Sequence, residues 1–383
     1  MQQEVRLPLA IGLLMFPQLA QTLYSPALTD LAEAFAVPHE DASQAITVYV
    51  LAFAFGVVGW GYACDRIGRR PAILAGLTLY AAASVMALVV TTFNGLLMAQ
   101  SLSALGAAVG SVVTQTILRD RFSGAELAKT FSLIGIAMAV SPAIGLFLGT
   151  QLVEAFGYKG VLLGLLALST FLCSWAALTL PETKPAIPVQ APLLSTVRMM
   201  LSDRSVWYSA ALISVFNVAM MSYYAIGPFE FQRINASPEL YGYSGLALAV
   251  GASFGAWLNR RLIKQGVAGE KLIATAAVLV LIGGIGVQLL RSNSWFLLPL
   301  LLVVVSFGIA IPNILGKALE SYGTRLGTAG ALFGLMYYLL IGIGMVIVGW
   351  TQHLGITTIT CGALAIFFFT LHALFAQKEL IND

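Results

Sequence analysis

The chain has 383 residues, of which 59% are hydrophobic and only 10% charged, with a formal net charge of +3 and a mean hydropathy of +0.88. Soluble domains carry charge on about a quarter of their residues, so a water-soluble globule is excluded, and the scattered basic residues make no footprint for nucleic acid. Three cysteines (Cys64, Cys173 and Cys361) with no CxxC or Cys/His spacing argue against a disulfide framework and a zinc site.

The opening MQQEVR followed by LPLAIGLLMF has the charged-then-apolar form of a signal peptide. No small-x-small cleavage site follows closely and the apolar run continues, so a first membrane span is expected. A hydrocarbon core about 30 Å thick takes roughly 20 apolar residues per helical crossing. Runs of that kind lie near 7–34, 43–63, 72–91, 95–117, 130–152, 160–180, 207–230, 241–262, 272–290, 295–316, 329–350 and 354–376. They do not alternate as the strands of a barrel do. The expected fold is an all-α integral membrane protein with twelve transmembrane helices. With the first residues on the cytoplasmic side, the inside connections hold seventeen of the Lys and Arg residues and the outside only Lys159, Arg233 and Arg291. That asymmetry sets both termini inside.

The longest polar connection, 181–205, reads PETKPAIPVQAPLLSTVRMMLSDRS, with four prolines. It divides the chain into a six-helix bundle over 1–180, a cytoplasmic linker over 181–205 and a second six-helix bundle over 206–383. Its LLSTVRMMLSD part has the pattern of a surface amphipathic helix. Two positions echo across the halves: Gly61-x-x-x-Asp65-Arg66 recurs as Gly255-x-x-x-Asn259-Arg260, with Arg70 matched by Lys264. Both copies end the second span of their half. Arginine placed inside by topology alone is the plainer explanation, but the shared glycine favours a repeat, and paired halves mark secondary transporters.

At these residues the chain resembles the major facilitator superfamily, and within it the twelve-helix bicyclomycin-resistance-like drug exporters. The resemblance covers nearly the whole chain. Gly61-x-x-x-Asp65-Arg66-x-Gly68-Arg69-Arg70-Pro71 is similar to the superfamily's loop between spans two and three, and Ser141-Pro142-x-x-Gly145-x-x-x-Gly149 to the exporters' proline–glycine motif in span five. YSPAL at 24–28 and LGAAVGSVVTQTILRDRF at 105–122 follow in the same order.

The resemblance implies two pseudo-symmetric six-helix bundles working by alternating access. It implies too that Asp65, Arg69 and Asp120 form a charge cluster latching one state, with Gly61, Arg66, Gly68 and Arg70 around it. Gly61 is the small residue expected to let a neighbouring helix approach, and Asp65 is expected to meet an arginine or the positive end of a helix. Gly145 and Gly149, beside Pro142 and Ser141, are expected to allow close packing against the other half.

Residues for a substrate cavity are uncharged amides and phenols within the spans: Gln18, Gln21, Tyr24, Gln115, Asn217, Tyr223, Tyr224, Asn313 and Tyr337. Each alone reads equally as an interhelical hydrogen bond; as a set they describe an adaptable amphipathic cavity. The related exporters usually hold an acid in span one and an arginine in span four, where this chain has Thr22 and Gln100. The remaining acids near the spans are Asp30 and Glu230, the candidate proton sites, although a solvated helix end is the plainer expectation for Glu230.

The function expected is export of small amphipathic molecules (drugs, or metabolites such as siderophores or sugars) across a bacterial inner membrane, coupled to protons. A metabolite importer or an uncoupled facilitator is the alternative, and a membrane sensor that has lost transport is a third reading that the intact latch argues against. No cofactor or metal is expected. Nor is an enzyme, since no nucleophile–base set or nucleotide loop is present. The partners expected are the bilayer, the small-molecule substrate and protons, around a monomer.

Overall fold

The computed structural model describes residues 6–122, 124–184 and 193–382. Helices make up nearly all of these segments. In chain order the helices are α1 (Leu7–Tyr24), α2 (Leu28–Ala34), α3 (His39–Ile67), α4 (Arg69–Val89), α5 (Phe93–Arg121), α6 (Gly124–Thr179), α7 (Leu193–Ser202), α8 (Arg204–Arg233), α9 (Pro238–Lys264), α10 (Gly269–Leu289), α11 (Leu297–Ala318), α12 (Leu326–Thr351) and α13 (Leu354–Asn382). A single 3₁₀ turn, Ser25–Ala27, joins α1 to α2, so the two make one crossing.

Among the described residues ten stretches are long and apolar enough to cross a membrane. One of them, Val140–Thr179, spans 40 residues and contains Gly157, whose φ of 64° and ψ of −167° break the helix. That positive φ suits glycine, and the break makes α6 two crossings, the fifth and sixth. The eighth, α9, is not among the ten; it carries Glu239, Arg260, Arg261 and Lys264 within 27 residues. Counted this way the described residues form the twelve crossings expected. In the expected linker, α7 forms the amphipathic helix, with Thr196 and Met200 buried and Met199 and Leu201 exposed. Positions 185–192 of the linker lie outside the described residues.

The chain divides into two compact units. The first is the described part of Met1–Gln190 together with Pro238–Leu246, the beginning of α9; the second is the described part of Ala191–Ser237 and Ala247–Asp383. Within each unit small residues set the helix spacing, as expected where lipid tails remove the apolar drive for helix association. In the first unit a Cβ on Gly106 of α5 would meet the α4 backbone at Tyr80 at 2.7 Å, and one on Gly56 of α3 would meet Ala108 of α5 at 2.7 Å. The second unit repeats the scheme. Gly283 of α10 faces Pro299 of α11, Gly255 of α9 faces the Val305 carbonyl of α11, and Gly344 of α12 faces Val218 of α8. Spans two, three and four are thus matched by eight, nine and ten.

Proline contributes to the same packing. Pro17 has no N–H, so the Leu13 carbonyl of α1 loses its helical donor, and Gly110 of α5 approaches that carbonyl directly. Large apolar side chains such as Phe55, Phe156, Leu178 and Trp350 point outward and are well exposed, as lipid-facing residues are.

Candidate latch and translocation residues

The signature loop is short because α3 ends at Ile67 and α4 begins at Arg69, leaving only Gly68 between them at φ 104°. This turn brings Arg69 back over the end of α3. Its Nη1 donates to the Cys64 carbonyl at 3.0 Å and lies 3.1 Å from Asp65 Oδ1, while its Nε donates to Asp120 Oδ2 of α5 at 2.9 Å. Arg69 is buried and Asp120 nearly so, whereas the Asp65 side chain is 67% exposed. The three residues expected to form the latch therefore stand together. Arg66 and Arg70 are exposed; the Arg66 guanidinium sits 4.3 Å over the Tyr62 ring, and Arg70 Nη2 donates to the Ala177 carbonyl at the end of α6 at 2.7 Å.

One expectation for this loop changes, and of the two offered for Asp65 the structure takes the arginine. A Cβ on Gly61 would meet Val112 at an ordinary 3.6 Å, so the close approach of α3 to α5 belongs to Gly56 instead. The free N-terminus of α4 is taken by Glu182 rather than Asp65. Glu182 Oε1 accepts from Arg69 N at 2.9 Å, Thr183 N at 2.9 Å and Lys184 N at 2.8 Å, and Oε2 from Arg70 N at 3.2 Å. Burial raises its carboxyl pKa, but these backbone donors outweigh burial and hold it below the ordinary 4.5. Thr183 Oγ1 donates to Asp120 Oδ2 at 3.1 Å and Lys184 Nζ to the Arg66 carbonyl at 2.6 Å. None of 182–184 stood out in the sequence. The available signal was an acid placed directly after the sixth span, beside three arginines of the signature loop.

The motif of span five is also placed differently from expectation. Gly145 packs on Thr22, and a Cβ on Gly149 would meet the Leu23 carbonyl at 2.5 Å, so both glycines serve the contact of α6 with α1 in the same unit. Ser141 Oγ donates weakly to the Met15 carbonyl at 3.5 Å. The neighbours Thr150 and Leu146 instead receive Gly242 and Gly245 at the start of α9, where Ser25 Oγ and Tyr241 Oη are 2.6 Å apart. Pro142 lies inside α6.

Thr22 is fully buried, and its hydroxyl donates back to the Gln18 carbonyl at 2.9 Å. The position where the family resemblance implies an acid is here a packed helix contact. Gln100 is buried at 6% exposure.

The expected cavity residues divide between the units. In the first, Gln18 and Gln115 are half-buried, and Gln115 Nε2 donates to Ser111 Oγ at 3.4 Å. Gln21 and Tyr24 are buried, with Gln21 Nε2 and the Tyr24 hydroxyl lacking protein partners. In the second, Asn217 Nδ2 donates to the Ile213 carbonyl at 2.8 Å. Ser214 Oγ donates to the Tyr337 carbonyl at 3.0 Å, and the rings of Tyr337 and Tyr338 are 4.6 Å apart. Tyr223 and Tyr224 are buried edge to face. Asn313 belongs elsewhere: its Nδ2 donates to Asn259 Oδ1 at 2.7 Å, so it partners the residue that echoes Asp65.

Glu230 is not a solvated helix end. It is 3% exposed and clamped by two arginines, with Arg233 Nη2 at 2.6 Å and Arg291 Nη2 at 3.1 Å. Asp30 accepts the Tyr158 N–H just after the Gly157 break. Among the described residues no group of three His, Cys, Asp or Glu stands ready to hold a metal.

The Major Facilitator Superfamily model matches residues 11–345, and the chain belongs to that superfamily. It is a multi-pass membrane transporter, similar to the bicyclomycin-resistance-like branch of that superfamily. Among its relatives are an uncharacterized transporter of Rickettsia bellii (28% identity, 84% of each chain), Multidrug resistance protein D of Escherichia coli (27%, 87% of this chain and 86% of that one) and the bicyclomycin resistance protein homolog of Haemophilus influenzae (22%, 85% and 84%). In fold it is similar to the POT family transporter PepTSo, with a TM-score of 0.79 over 98% of each chain at 13% identity.

Proposed function

We propose that the protein exports small, uncharged or zwitterionic amphipathic molecules across a bacterial inner membrane by alternating access, as a monomer with both termini in the cytoplasm. The observation that carries this reading is the assembled Asp65–Arg69–Asp120 cluster, which suits a latch between two states. Relatives named for multidrug and bicyclomycin resistance support the substrate class. So do the uncharged polar side chains Gln18, Gln21 and Gln115 of the first unit and Asn217 and Tyr337 of the second. A lipophilic cation would find no acid among them to offset its desolvation.

Coupling is open to a second reading on a specific observation. Thr22 and Gln100 are uncharged and buried, and Glu230 is committed to two arginines. These features favour a facilitator, or coupling to an ion other than the proton. Uptake and efflux of a labelled panel in proteoliposomes, with and without an imposed pH gradient, tests both. Accumulation driven by the gradient supports proton antiport. Equilibration without accumulation supports the facilitator, and no movement of any probe overturns export.

A further inference from the structure

We propose that Glu182 is a positioning residue for Arg69, so that the first residues of the linker form a working part of the latch. The inference rests on reading Asp65, Arg69 and Asp120 as that latch.

The argument begins with the turn. A helix leaves its first N–H groups without helical partners, and the residue before α4 is Gly68, which has no side chain to cap them. Glu182 supplies the missing acceptor from the far end of span six. Both its oxygens are engaged, one on Arg69 N and one on Arg70 N, and a carboxylate there also meets the positive end of the helix dipole.

The same carboxylate curls its own segment. By accepting from Thr183 N and Lys184 N it turns Thr183 so that its hydroxyl reaches Asp120 Oδ2, the oxygen that Arg69 Nε also uses. Glu182 thus holds the Arg69 backbone directly and the Asp120 side chain through Thr183. Lys184 on the Arg66 carbonyl and Arg70 on the Ala177 carbonyl close the remaining sides. Gly68 has a second reason to be glycine besides its φ of 104°: a Cβ there would lie 2.5 Å from Glu182 Oε2.

Cys64 supplies a reporter, because its thiol is buried beneath Arg69, which bonds its carbonyl. The experiment uses the full-length protein in membrane vesicles with Cys64 as the single cysteine, labelled by N-ethylmaleimide. A parallel protein with Cys361 alone controls for general loosening. Glu182→Ala is expected to raise the Cys64 labelling rate about tenfold, the scale of one or two charge-assisted hydrogen bonds, while Cys361 is unchanged. Glu182→Gln, which keeps one acceptor oxygen, is expected between the two and remains informative if Glu182→Ala does not insert. Adding Glu182→Ala to Asp120→Asn is expected to raise the rate by clearly less than it does alone, because only the direct hold on the Arg69 backbone remains to be lost. Unchanged Cys64 labelling overturns the proposal, as does equal acceleration at Cys361 or a multiplicative double variant.

Discussion

Gly145 of α6 and Thr22 of α1 touch so closely that a methyl group on Gly145 would fall on the Thr22 hydroxyl and reach the Leu23 nitrogen at 3.2 Å. Gly145→Ala is therefore expected to destabilise the protein by about 1–3 kcal/mol, the usual cost of overpacking. Thermal unfolding in detergent measures the loss. Pairing it with Thr22→Ala is expected to restore part of it, because the methyl then has somewhere to go.

The same contact bears on coupling. Thr22→Asp introduces the acid that the family resemblance implies for span one, but Thr22 is 0% exposed and its hydroxyl is bound within its own helix. The expected outcome is poor folding with no gain of proton-driven accumulation. A Thr22→Asp variant that folds normally and accumulates substrate on a pH gradient would show that the contact can open.

Asp65 and Asp120 are expected to behave differently although both pair with Arg69. Asp65 is largely exposed, and exposed ion pairs contribute at most about 1 kcal/mol. Asp65→Asn should leave insertion and melting temperature nearly unchanged while abolishing transport; full activity removes it from the latch. Asp120→Asn takes away the less exposed partner of a buried guanidinium, and its melting temperature should fall clearly.

Glu230→Gln leaves Arg233 and Arg291 facing a neutral amide. Removing one member of a buried charge cluster costs about 3–5 kcal/mol, an upper bound here because both arginines keep partial solvent contact. The variant is expected to melt earlier and to keep the shape of its pH–rate profile. A flattened profile makes Glu230 the proton carrier.

Acid should act on Glu182. Its carboxyl lies below the ordinary 4.5 in the folded protein, so its contribution is complete above that value and is lost as pH falls through the lower folded one. The ratio of the Cys64 to the Cys361 labelling rate, which cancels the loss of thiolate common to both on acidification, is expected to stay flat from neutral pH down to about 4.5 and to rise below it, less so in Glu182→Gln.

Much of this was legible in the sequence for physical reasons. The spans follow from the length a bilayer demands, and the residues from Asp65 to Arg70 are conspicuous because charge is rare in so apolar a chain. Distance in sequence hid the rest. Glu182 is 113 positions from Arg69, and nothing in PETKP says which helix end it caps. Arg291 counted only as an outside cation until the end of α10 brought it to Glu230. The glycines of span five looked like contacts with the other half because their facing depends on helix rotation, which a Gly-x-x-x-Gly spacing does not specify.

The amide pair Asn259–Asn313 stands in the second unit where Asp65 and its partners stand in the first. Ions feel screening and titrate, while amides do neither within any physiological range. Salt and acid therefore act on the cluster at Arg69 and pass over the amide pair, so in the second unit they are felt at the ion pairs of Glu230 and Glu270 rather than at the position that echoes Asp65.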